Sequence, residues 1–182
     1  MKKKMLWITE TAIMLALLVT LQMLTKPMGQ LVTGSCVNTV LAVSVLVGGL
    51  GCGLTVALIS PVLAFLLNIA PQILTVPAIM VGNAVFVVLL SLLADKTGKK
   101  LLKQLIAWFT AAVAKFATLY AIVVWLICGA LSEQLLASGV MKAPMLQALP
   151  ATFSWPQLIT ALIGGAVALL IVPVLRKALH KQ

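Results

Sequence analysis

The sequence predicts an all-α integral membrane protein: a single transmembrane domain over residues 1–182 with about six spanning helices and both termini cytoplasmic. Three observations carry this expectation. Of the 182 residues, 63% are apolar and 9% are charged, with a mean hydropathy of +1.20, whereas soluble chains hold roughly 45–50% apolar and ~25% charged residues. Apolar runs long enough for a ~30 Å hydrocarbon core alternate with short breaks rich in glycine, proline or charge. The basic residues fall at one set of span ends and not the other.

The first span, residues 6–25 (LWITETAIMLALLVTLQMLT), follows Lys2, Lys3 and Lys4 and ends at Lys26-Pro27. At ~1.5 Å per residue it covers ~30 Å. It is too long for the h-region of a cleaved signal, and no small-residue cleavage site follows it. Ala12 and Ala16 share one face, a spacing that lets another helix approach closely and that also arises by chance in alanine-rich spans. The stretch KPMGQLVTGS reads as a loop, and the second span, 36–47, is short. GGLGCG makes a tight turn into the third, 54–69, which contains Pro61. If these two spans formed one re-entrant hairpin, the parity of the chain would be unchanged. After NIAPQILTVP, with Pro71 and Pro77, the fourth span runs over 76–94 and stops at DKTGKK. The fifth, 101–131, is long enough to tilt or to project from the membrane. A connection with room for a short interfacial helix leads to the sixth, 157–175, before RKALHKQ.

Six spans place Lys2, Lys3, Lys4, Lys96, Lys99, Lys100, Lys103, Arg176, Lys177 and Lys181 on one side, and only Lys26 and Lys142 on the other. The positive-inside rule makes the first side cytoplasmic. That distribution accounts for the net charge of +10 through topology and anionic lipid, without nucleic acid as a partner.

With the topology set, the uncharged polar residues gather in the outer half. Gln22 lies near the outer end of the first span, Asn38 at the outer start of the second and Asn68 at the outer end of the third. Gln72 follows in the loop, and Asn83 lies ~10 Å below the outer surface. Tyr120 and Trp125 belong to the outer part of the fifth span. Amides in hydrocarbon turn towards one another or towards a cavity. Interhelical bonding would explain any one of them, but it gives no reason for an outer bias. A polar pocket open to the outside does. Lys115, about ten residues into the fifth span, has three readings: its ammonium snorkels to the inner interface, it supplies a counter-charge to an anionic part of a solute, or it contacts a partner subunit or lipid headgroup.

Enzyme chemistry finds no support. GxSxG, HExxH, close carboxylate pairs and a GK[ST] phosphate loop are all missing. Cys36, Cys52 and Cys128 have no ligand-like spacing, and His180 stands by itself in the basic tail. The sequence calls for no metal or cofactor. With few intramembrane charges and no Walker motif, energy for any transport would come from another chain.

These features resemble the substrate-binding S components of energy-coupling factor (ECF) transporters. The likeness rests on AIMLA in the first span, similar to that family's AxxxA signature, on GGLGCGLTVALISPVLAFLLN, on the abrupt DKTGKK, and on size and span number. The resemblance implies an S-component-like bundle in a bacterial or archaeal plasma membrane that captures a vitamin or related small solute from outside. It implies docking through Ala12 and Ala16 onto a membrane T subunit joined to two cytoplasmic ATPase subunits. Ligand residues differ within such a family, so Asn38, Asn68, Gln72, Asn83, Lys115, Tyr120 and Trp125 are expected substrate contacts on depth alone. The alternative is a stand-alone small secondary transporter or channel, or an assembly protein without a small ligand.

Overall fold

The structure is a computed structural model describing residues 2–69, 72–95 and 100–179, with side chains from Leu6 onward. Pro71, Lys96, Lys99, His180, Lys181 and the side chains of Lys2, Lys3 and Lys4, all used in the sequence reading, lie outside the described residues.

Helix α1 (Lys2–Thr25) gives way to a 3-10 turn, Lys26–Met28, because Pro27 cannot extend the hydrogen-bond ladder. Gly29 turns the chain at φ 87°, and α2 (Gln30–Leu66) begins at once. The second span thus starts at Gln30 rather than Cys36: Leu31 to Ser35, read as loop, carry enough apolar surface to join the helix.

At 37 residues, α2 would be ~55 Å long if straight, well beyond one membrane thickness. It is not straight. Gly49, at φ 83° and ψ 177°, breaks it into arms α2a (residues 30–48) and α2b (50–66). The backbone region involved is essentially closed to residues with a Cβ. Residues eight apart in a straight helix are separated by ~12 Å, yet a Cβ built at Gly53 would lie 2.7 Å from that of Val45. The arms therefore double back on each other. The expected tight turn is present, accomplished by a single residue. At the far end, Asn68 (φ 55°) closes α2b in the left-handed conformation that asparagine tolerates. Its carbonyl accepts a 2.6 Å hydrogen bond from Lys26 Nζ.

Helix α3 spans Val76–Leu93 and α4 spans Leu101–Leu119. The fifth span continues from α4 as a π-helix, Tyr120–Ala130. Two short helices follow, α5 (Ser132–Ala137) and α6 (Ala143–Phe153), then α7 (Trp155–Leu179). Among the described residues, five segments are long and apolar enough to cross a membrane. Counting the two arms of α2 separately gives six.

Trp7 at the start of α1 approaches Gly51, and Arg176 near the end of α7 donates to Leu46 O at 2.7 Å. Both ends of the described chain therefore lie at the level of the Gly49 turn, termed here the lower face. Lys26, Asn68 and α6 mark the upper face. The main core interleaves α2a, α2b, α3, α4 and α7 around Leu41, Val45, Val56, Phe86, Ala111 and Ala161. Small residues set how closely these helices pack. A Cβ at Gly164 would come within 2.6 Å of Asn38 Cβ and Ser35 O. A second cluster joins Leu119, Val123 and Ile127 to Met141, Leu149 and Phe153, holding α6 against the π-helix.

Candidate binding cavity

The close approach of α2a, α3, α4 and α7 brings Asn38, Asn83 and Lys115 to one depth. Each is 3% exposed or less. Lys115 Nζ donates to Asn38 Oδ1 at 2.6 Å and to Asn83 Oδ1 at 2.7 Å. It lies 5.5 Å from the centre of the Phe86 ring, near enough for a cation–π contribution. Two carbonyl dipoles and an aromatic face thus stabilise the ammonium, with no carboxylate beside it among the described residues. A buried charge is tolerated only when it is solvated in this way. The Lys115 side chain does not snorkel; it is held within the bundle.

Asn38 is itself fixed from the other side. Its Nδ2 donates to Gly34 O at 2.9 Å and to Thr160 Oγ1 at 3.3 Å. Thr160 in turn donates to Gln157 O at 3.1 Å. This network orients the Asn38 carbonyl towards the ammonium.

Above the cluster lies a cavity of about 290 Å³, at the small end of the range for small-molecule sites. Lys115, Asn38 and Asn83 line its base. Gln22 from α1, Gln72 from the loop before α3, and Thr152 and Gln157 from the α6–α7 corner line its walls. Gln22 Oε1 and Gln72 Oε1 are buried there with no hydrogen-bond partner among the described residues. An unpaired buried acceptor costs about 1–3 kcal/mol, so a guest bearing N–H or O–H groups would relieve both. Beneath the cluster the bundle is closed: Trp108 Nε1 donates to Leu162 O at 3.0 Å, and its ring occupies the space a Cβ at Gly165 would need. The arrangement offers one ammonium at the base with amide and hydroxyl groups on the walls, a set that can hold a small polar guest.

Of the seven residues expected from depth, the structure brings four to this cavity: Asn38, Gln72, Asn83 and Lys115. Asn68, Tyr120 and Trp125 do not line it. Asn68 is exposed at the end of α2b, where its backbone conformation serves the helix stop. Tyr120 and Trp125 are 45% and 69% exposed on the outward side of the π-helix. Wider winding there re-aims side chains relative to an α-helical wheel. Gln157 and Thr152 were not foreseen. Gln157 sits at the upper start of the sixth span, and the depth rule applied to the other amides would have found it. Ala12 and Ala16 are both exposed on α1, away from the cavity.

No curated protein and no solved structure matches the chain. A family model described as "ECF transporter, substrate-specific component" matches residues 6–176, nearly the whole bundle. Together with the helical membrane architecture, this establishes that the chain belongs to the family of substrate-specific components of ECF transporters.

Proposed function

We propose that this subunit captures a micronutrient, a vitamin or related small solute, from outside the cell and delivers it to an ATP-driven ECF importer. The observation that carries the reading is the Lys115–Asn38–Asn83 cluster beneath a small cavity whose walls hold two unpaired amide oxygens. The solute that fits is small and polar. It carries an anionic or strongly accepting end for Lys115 and N–H or O–H donors for Gln22 and Gln72, with Asn38, Asn83, Thr152 and Gln157 completing the contacts. The basic lower face lies in the cytoplasm of a bacterial or archaeal cell, following the positive-inside rule. The cavity then opens outward.

Energy enters through partners. The exposed Ala12 and Ala16 leave a shallow strip on α1, flanked by Ile8, Ile13 and Leu17, against which a helix of a membrane T subunit can pack closely. Two cytoplasmic ATPase subunits complete the importer. Affinity purification of the tagged chain from gently solubilised native membranes tests this. A T-like membrane protein and ATPases should co-purify. Recovery of the chain with no such partners, after crosslinking in intact cells, would overturn it.

A further inference from the structure

A second cavity, of about 230 Å³, lies near the lower face between α2a, α4 and α7. Gln104, which lines it, is eleven residues before Lys115 on α4, ~16 Å away along the helix. Its walls are Leu46, Leu101, Leu169, Val172 and Pro173, with Gln104 and Arg176 as the polar members. Val172 is buried, whereas Leu101 and Pro173 are exposed, so the cavity opens sideways where lipid would lie.

Gln104 is 7% exposed. Its Nε2 donates to Asp95 O at 2.8 Å, while Oε1 is buried without a partner among the described residues. Flipping the amide would set two oxygens against each other, so the orientation is fixed and the unpaired atom is an acceptor. Among the described residues, Arg176 lines the cavity, and Asp95, Lys100, Lys103 and Lys177 lie close to its lining residues along the chain. Lys100, Lys103 and Lys177 are exposed; the Asp95 carboxylate accepts the Lys100 backbone N–H at 3.1 Å. The rim is net basic.

We infer that this cavity is a binding site for an anionic glycerophospholipid whose headgroup carries a free hydroxyl, of the phosphatidylglycerol type. One acyl chain lies along Leu46, Leu169, Val172 and Pro173, the phosphate sits at the basic rim, and the headgroup hydroxyl donates to Gln104 Oε1. Phosphate alone does not satisfy the site, because an ionised phosphate diester has no proton to give to an amide oxygen. Charge complementarity selects anionic lipid, and the unpaired acceptor selects among anionic lipids. The inference is independent of what the upper cavity binds.

Native mass spectrometry and thermal unfolding of the purified full chain in detergent, with phosphatidylglycerol, phosphatidylmethanol (an anionic diester without a headgroup hydroxyl) or phosphatidylcholine added, test this. Phosphatidylglycerol should be retained and should raise the unfolding temperature most. Gln104→Met should weaken its retention about three- to tenfold and erase the preference over phosphatidylmethanol. Lys103→Gln, a surface change that does not depend on core packing, should weaken both anionic lipids about fivefold. Equal retention of phosphatidylglycerol and phosphatidylmethanol by the unmodified chain overturns the headgroup assignment. Equal stabilisation by soluble glycerol phosphate makes the site one for a free anion, not a lipid. No difference between wild type and Lys103→Gln overturns the site altogether.

Discussion

The Lys115–Asn83 hydrogen bond can be tested by a double-mutant cycle, because its partners lie on α4 and α3 and, among the described residues, their mutual bond is the side-chain hydrogen bond that Asn83 makes. A charge-assisted bond of this kind contributes about 1.5–3 kcal/mol. Asn83→Leu keeps the branched four-atom shape but leaves the ammonium with the Asn38 carbonyl and the Phe86 ring, an expected loss of about 1.5–3 kcal/mol. Lys115→Met keeps an unbranched stem and removes the charge. Two buried carbonyls lose their donor, while the desolvated ion disappears, for a net loss of about 1–3 kcal/mol. In the double variant Leu faces Met, and only the Asn38 carbonyl is left without its donor. The combined loss should fall short of the sum by about 1–3 kcal/mol. Denaturant unfolding of the four proteins in mixed micelles measures this. Additivity within about 0.5 kcal/mol would show that the ammonium is not held between the amides and would restore the snorkelling account.

Gly164→Ala should destabilise the bundle by about 1–3 kcal/mol through overpacking, because the new Cβ meets Asn38 and the α2a backbone at 2.6–2.8 Å; thermal unfolding checks it, and an unchanged midpoint would mean α2a and α7 are not in such close contact. Gly49→Ala forces a Cβ into a backbone region costing about 1–3 kcal/mol, although nothing lies within 4 Å of the added atom. A loss there with no steric cause would identify conformational strain as the reason for this glycine. Ala12→Trp and Ala16→Trp alter exposed positions, so the isolated chain should unfold at the same temperature while recovery of the T subunit and ATPases falls at least about tenfold. Loss of folding in detergent would instead give that face a structural role.

Helix content and the number of membrane-crossing segments were legible because hydropathy and length alone fix how often a chain can cross a membrane. The hairpin at Gly49 was legible in GGLGCG as a turn. Its economy was not, since only one of those glycines needs a positive φ and neighbouring Leu50 and Cys52 accept helical geometry. Depth brought Asn38, Gln72 and Asn83 to the level of the cavity they line, but depth is one coordinate and a site needs azimuth as well. Tyr120 and Trp125 share the cavity's depth and face away from it, on a π-helical turn that no sequence period announces. Lys115 posed a related problem. Its partners are 77 and 32 residues away in sequence, so the chain read in one dimension favoured snorkelling over the buried position that the structure shows. Packing of small residues between α2a and α7 decides between them, because it brings Asn38 within reach.

Small molecules extracted from gently purified wild-type protein and from Lys115→Met, compared by mass spectrometry, test the binding-subunit account most directly. The account predicts one small polar compound near equimolar with the wild-type chain and reduced about tenfold or more in the variant. A compound retained equally by both proteins, or no compound retained by a wild-type chain purified from cells supplied with a full range of micronutrients, would contradict it.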